Sequence, residues 1–125
     1  MNSQKRWVAV AGLIGFSGVA LGAFGSHRLS DQLSADMMNI YKTGVLYHLI
    51  HALAILAIAF FGNKKFYKSS LMFLIGIILF SFSLYIYAQT GNTTFAIITP
   101  ISGVFLLIGW ALIIFEGIKL KGDAG

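Results

Sequence analysis

Four apolar stretches, each long enough to cross a bilayer, constrain this chain more than anything else in it. They run approximately 7–24, 44–61, 71–88 and 98–118. A spanning segment must satisfy all its backbone hydrogen bonds internally, which leaves helices or a closed barrel. The alternating "FSFSLYIY" at 80–87 has a strand-like period. A lone strand in lipid would leave its backbone unpaired, so helix is expected there too. The predicted fold class is therefore all-α, an integral membrane four-helix bundle in a single domain. Composition agrees: apolar residues make up 58% and charged residues 10%, against roughly 45–50% and 25% in soluble domains.

Between the first two stretches lies "GSHRLSDQLSADMMNIYKT", residues 25–43. Leu29, Leu33, Met37, Ile40 and Tyr41 share one side of a helix while Asp31, Gln32, Ser34, Asp36 and Asn39 are polar, so a short amphipathic interfacial segment is expected between helices 1 and 2. The other connections are shorter: "GNKKFYKSS" carries Lys64, Lys65 and Lys68, and "QTGNTT" carries no charge. Thr99 and Pro100 suit the start of the fourth helix, as cap and first-turn residue. After Ile118 a frayed tail is expected.

The net charge of +5 would suggest nucleic acid for a soluble protein; here it follows topology. Lys5, Arg6, Lys64, Lys65, Lys68, Lys119 and Lys121 fall on one side of a four-span chain, and Arg28 and Lys42 on the other. That asymmetry places both termini in the cytoplasm. "QKRW" before the first span also resembles the start of a signal peptide, with a conceivable cleavage near Ala20–Gly22. A retained helix is preferred, because Ala11, Gly15, Gly18, Gly22 and Gly25 line one helical face. Gly18 and Gly22 form a GxxxG pair of the kind that lets helices approach closely in lipid.

Polar residues inside the spans are the candidates for function. His48 and His51 lie in an otherwise apolar second span, with Gly44, Tyr47 and Ile55 on the same side. Counted from Thr43, His51 is ~12 Å below the outer edge of a ~30 Å core. Counted from Gln89, Ser81 has the same depth, and Tyr85 is one turn above it. Thr99 and Ser102 open the fourth span on that side, and His27 follows the first. The outer half thus collects His27, His48, His51, Ser81, Ser83, Tyr85, Thr99 and Ser102, whereas the inner half holds only Glu116 as an ionisable group. Three explanations compete. The histidines bond to neighbouring helices and fix packing, at roughly 0.6–2 kcal/mol per contact. Alternatively they line a pocket for a ligand, headgroup or proton, since imidazole titrates near neutral pH. The third is a metal or haem site using the i, i+3 pair, for which no carboxylate spacing or cysteine gives support, so no metal and no cofactor are expected.

No G-x-S-x-G, H-E-x-x-H or P-loop string occurs. Trp110, inside the fourth span, reads as a packing residue. No internal repeat suggests a carrier. The expected partners are the lipid bilayer, further copies of the chain or other membrane proteins, and no nucleic acid.

Several irregular strings are more specific than these patterns. "GAFGSHRL" at 22–29, "LYHLIHALAIL" at 46–56, "FSFSLYIYAQTG" at 80–91 and "ITPISGVFLLIGW" at 98–110 together resemble the family of domain of unknown function 423. That group is also known as uncharacterised protein family 0382, and eukaryotic transmembrane protein 256 is similar to it. Ser26 and Arg28 stand where Ala and Gly are usual, Phe82 where the third-span pattern has glycine, and Ser102 where the fourth has glycine. The resemblance implies a small multi-pass protein of the bacterial plasma membrane with four helices, and brings no agreed activity. The leading expectation is a non-enzymatic subunit or accessory factor of a membrane assembly. The alternative is a small-ligand or proton binding or transport protein that uses the polar cluster.

Overall fold

The computed structural model describes residues 2–122. Four helices long and apolar enough to cross a membrane run over Ser3–Leu29, Ala35–Phe61, Lys64–Thr90 and Thr93–Ile118. Among the described residues there is no strand. The expected all-α four-helix bundle is what the chain forms.

Each helix starts on a side chain that accepts an otherwise unpaired backbone N–H: Asn2 from Lys5, Ser34 from Met37, Asn63 from Lys65 and Asn92 from Thr94. Such caps contribute about 1 kcal/mol each. Two of the three connections are the same dipeptide, Gly62–Asn63 and Gly91–Asn92. The glycine ends one helix in the left-handed region, at φ 76° and φ 67°, and the asparagine caps the next. A Cβ on Gly91 would meet nothing within 4 Å, so Gly91→Ala tests backbone conformation alone. We expect it to cost about 1–2 kcal/mol, read as a lower midpoint in detergent-induced unfolding, with Gly91→Asn recovering most of the loss.

The helices are longer than the apolar stretches, and this changes three sequence-based expectations. The segment 25–43 is not a separate interfacial element. Gly25–Leu29 continues the first helix as a π-helical turn, and the second helix is already under way at Ala35. Leu29 and Tyr41 are buried against each other's helices, which draws this segment into the bundle. The fourth helix starts at Thr93, because Asn92 caps it earlier than Thr99 could; Pro100 is inside it. There the proline withholds an N–H from the Ala96 carbonyl, a loss membrane helices tolerate where neighbours re-satisfy the backbone.

The third difference is register. A two-residue connection forces positions equally distant from Gly62–Asn63 to lie level. A Cβ on Gly44 would come 3.2 Å from the Ser81 carbonyl oxygen, while His51 packs its ring 5.1 Å from that of Phe73. Ser81 is therefore level with Gly44, about 10 Å further along the helix than His51.

The second and third helices form the centre of the bundle, with 39% and 44% of their apolar windows buried, against 17% for the first and the fourth. The core of Ile55, Ile58, Phe66, Phe73, Ile77 and Leu106 joins helices two, three and four, and Ala11 brings in the first. At the far end the side-chain amide of Gln4 donates to the Ala59 carbonyl at 2.9 Å, tying the first helix to the end of the second.

Candidate functional site

One face of the second helix carries Tyr41, Gly44, His48, His51 and Ile55, all buried. Their alternating spacing of three and four keeps them in one stripe, and helix-helix packing on three sides covers it. His48 is the central residue of its 27-residue helix. The histidines thus occupy the middle of the bundle rather than its outer half; depth counted from the edge of the apolar stretch overlooks the helix that precedes it.

His48 joins three helices. Its Nδ1 lies 2.9 Å from the Tyr85 hydroxyl, and its Nε2 lies 2.9 Å from the Ile14 carbonyl and 3.0 Å from Ser17 Oγ. The carbonyl can only accept, so Nε2 carries the proton and Nδ1 accepts from Tyr85. Ser17 donates to the same Ile14 carbonyl at 2.9 Å. The Ser17–His48 separation resembles a nucleophile and its base, but an Nε2 that already holds a proton cannot take one from serine.

His51 faces the fourth helix. Its Nδ1 donates to the Tyr47 carbonyl at 2.8 Å, and its Nε2 accepts from the Trp110 indole N–H at 3.0 Å. Indole is a donor only, so this pairing requires the neutral ring. The Phe73 and Trp110 rings pack around it, with centroids 5.1 Å and 5.8 Å away. The two imidazoles therefore point to opposite neighbours and do not share a site. Among the described residues no three His, Cys, Asp or Glu side chains come together.

The remaining expected site residues divide. Tyr85 belongs to the cluster, with its ring 5.0 Å from Tyr41 and its hydroxyl on His48. Ser83 and Thr99 form a second polar link, 2.8 Å apart, between the third and fourth helices. Ser102 is buried but turns its hydroxyl back to the Thr99 carbonyl. Ser81 Oγ is buried with no partner. His27 is exposed on the π-helical turn, away from the cluster. Of the packing glycines, Gly18, Gly22 and Gly25 face Leu49, Val45 and Tyr41 of the second helix, whereas Gly15 meets nothing within 4 Å.

Two members of the site escape sequence reasoning. Ser17 is the lone hydroxyl of its apolar stretch, and a buried hydroxyl needs a partner. Trp110 reads as volume to be packed, yet an indole N–H deep in a span also needs an acceptor. Both signals are present in the residue types.

The family described as "Protein of unknown function (DUF423)" matches residues 21–103. The chain belongs to this family. The matched stretch takes in His48, His51 and Tyr85 and stops short of Trp110. Among relatives, the UPF0382 inner membrane protein YgdD of Escherichia coli K12 is 43% identical over 123 residues, covering 95% of this chain and 94% of that protein. A UPF0382 membrane protein of Haemophilus influenzae is 39% identical over 121 residues, 94% of this chain and 98% of its own length. The UPF0382 membrane protein YwdK of Bacillus subtilis is 35% identical over 122 residues, 93% of this chain and 98% of its own length. No solved structure matches the chain. Membership of DUF423, with four spans, makes this an integral membrane protein.

Proposed function

We propose that this DUF423 protein is a non-enzymatic subunit or accessory factor of an assembly in the bacterial plasma membrane, with both termini in the cytoplasm. The observation that carries the reading is the internal commitment of its buried polar groups. Both nitrogens of His48 and of His51 are bonded to other parts of the bundle, which leaves no free base beside a nucleophile. Support for an assembly comes from the first helix. It packs chiefly along the second, and its lipid-facing side exposes Leu13, Phe16 and Val19 beside the open Gly12 and Gly15. The names of the relatives, inner membrane or membrane proteins, favour the plasma membrane, and the lysine and arginine asymmetry favours cytoplasmic termini.

The test is native mass spectrometry of the untagged protein after gentle extraction from its own membrane. We expect mass beyond one chain: a second protomer or another protein. A strictly monomeric, solitary chain overturns the assembly reading.

A second reading, small-ligand or proton binding, rests on a cavity of about 310 Å³ lined by Tyr47, His51, Phe80, Gly103 and Trp110. In that case His51→Leu abolishes function while abundance in the membrane stays the same. Loss of the protein itself returns His51 to a packing role.

A further inference from the structure

At the end of the bundle where the first helix gives way to the second lies a groove of about 400 Å³. Its lining includes Gly22, Ser26, Lys42, Val45, Leu46 and Leu49. Gly22 carries no side chain, so part of the floor is bare helix backbone, and Val45, Leu46 and Leu49 form an apolar wall. Leu46 is 54% exposed on the open side. One charged side chain, Lys42, stands at the rim, with the Ser26 hydroxyl on the opposite helix. No acidic residue lines the groove, and among the described residues Lys42 takes part in no salt bridge.

We propose that this groove holds one acyl chain of an anionic phospholipid, whose phosphate is met by Lys42 and Ser26. Three features of the groove point to that occupant. Its chemistry runs from cationic and hydroxylic at the rim to wholly apolar below, the polarity of a phospholipid read from headgroup to tail. Its length also fits. Lys42, where the phosphate is met, and Leu49, at the bottom, are ~10 Å apart along the helix, within the ~15 Å that one leaflet contributes to a ~30 Å hydrocarbon core. The polar chemistry is confined to this end. A Cβ on Gly18 would come 2.7 Å from a Leu49 methyl, and the groove of about 390 Å³ that continues between the same helices beyond Leu49 is lined by apolar residues alone. A phosphate beside an ammonium forms a charge-assisted hydrogen bond, and a basic side chain at the membrane surface attracts anionic lipid. The inference holds in either leaflet and is independent of whether the protein joins a larger assembly.

The experiment uses the full chain in detergent with equimolar phosphatidylglycerol and phosphatidylcholine of identical acyl chains, followed by native mass spectrometry. One phosphatidylglycerol is expected to be retained in preference to phosphatidylcholine. Lys42→Gln, an exposed substitution, lowers that preference about fivefold, the effect of one basic group at an anionic surface. Leu46→Trp, which fills the groove, reduces retention of both lipids. Lys65→Gln, at the opposite end of the bundle, leaves the preference unchanged. Equal retention of the two lipids by the wild type overturns the proposal. So does a preference that survives Lys42→Gln, or one that falls as much with Lys65→Gln. A second protein chain displaced by Leu46→Trp, with no lipid retained, would assign the groove to a protein instead.

Discussion

Gly109→Leu is expected to remove about 3 kcal/mol or more of stability, enough to deplete the folded bundle in mild detergent. The fourth helix meets the third through two reciprocal contacts. Phe73 lies on Gly109, where a Cβ would come 2.5 Å from the ring, and Leu106 lies on Gly76, where a Cβ would collide with its side chain. Without a hydrophobic drive between helices in lipid, association relies on such close packing, so a side chain here separates the helices along their length. Phe73 cannot simply move aside, because it is fully buried and its other faces touch His51 and Trp110. Helix propensity works the other way, since glycine is about 1 kcal/mol less favourable than alanine in a helix. Gly12→Ala, where a Cβ meets nothing within 4 Å, should therefore be neutral or stabilising. Gly109→Ala should destabilise despite its better propensity, and adding Phe73→Leu should recover part of the loss. Thermal unfolding in detergent, followed by circular dichroism, separates these cases. Equal effects at Gly12 and Gly109 would mean that the helix pair does not pack as described.

Much of this arrangement is legible in the residues. Apolar length locates the four spans, because lipid leaves a backbone few options. Of the side read from three-four spacing, Gly44, His48, His51 and Ile55 are buried as the inward stripe of the second helix, whereas Tyr47, placed with them, lies at its edge and is exposed. The helix ends are less legible. Tyr41 and Leu29 lie outside the apolar stretches, and their burial depends on each other's helices, which no local pattern records. Depth and register fail together at Ser81. Its level is set by the Gly62–Asn63 connection, whereas hydropathy starts the third span at Leu71. The turn chemistry is in the sequence twice, as Gly-Asn, and supplies the register once it is given more weight than hydropathy. Hydropathy alone pairs His51 with a serine of the third helix, whereas its partner is Trp110 of the fourth. The bond between His48 and Ser17 joins residues 31 apart, and only the packing of the first helix on the second brings them within reach.

His48→Leu is the sharpest test of what the buried histidine does. Leucine fills much of the space but accepts nothing, so the Tyr85 hydroxyl, 3% exposed as a residue, loses its acceptor. Leaving one buried polar group unpaired costs about 1–3 kcal/mol. The Ile14 carbonyl keeps Ser17 as a donor, which places the loss on the Tyr85 side. We therefore expect His48→Leu to destabilise by about 2 kcal/mol and Tyr85→Phe by about 1 kcal/mol. The double variant should cost less than their sum, since removing both partners leaves neither orphaned. Buried polar pairs in membrane bundles have coupling of about 0.6 kcal/mol on average and up to about 1.7, and a bond inside the crowded centre of three helices belongs near the upper end. Reversible unfolding of the four members of the cycle gives that coupling directly. A coupling near zero would mean that His48 and Tyr85 do not hold the bundle through each other. A large coupling together with unaltered cellular function in a folded double variant would establish the pair as structural. Lost function in a double variant of wild-type stability and abundance would instead make the His48–Tyr85 pair part of what the protein binds or assembles with.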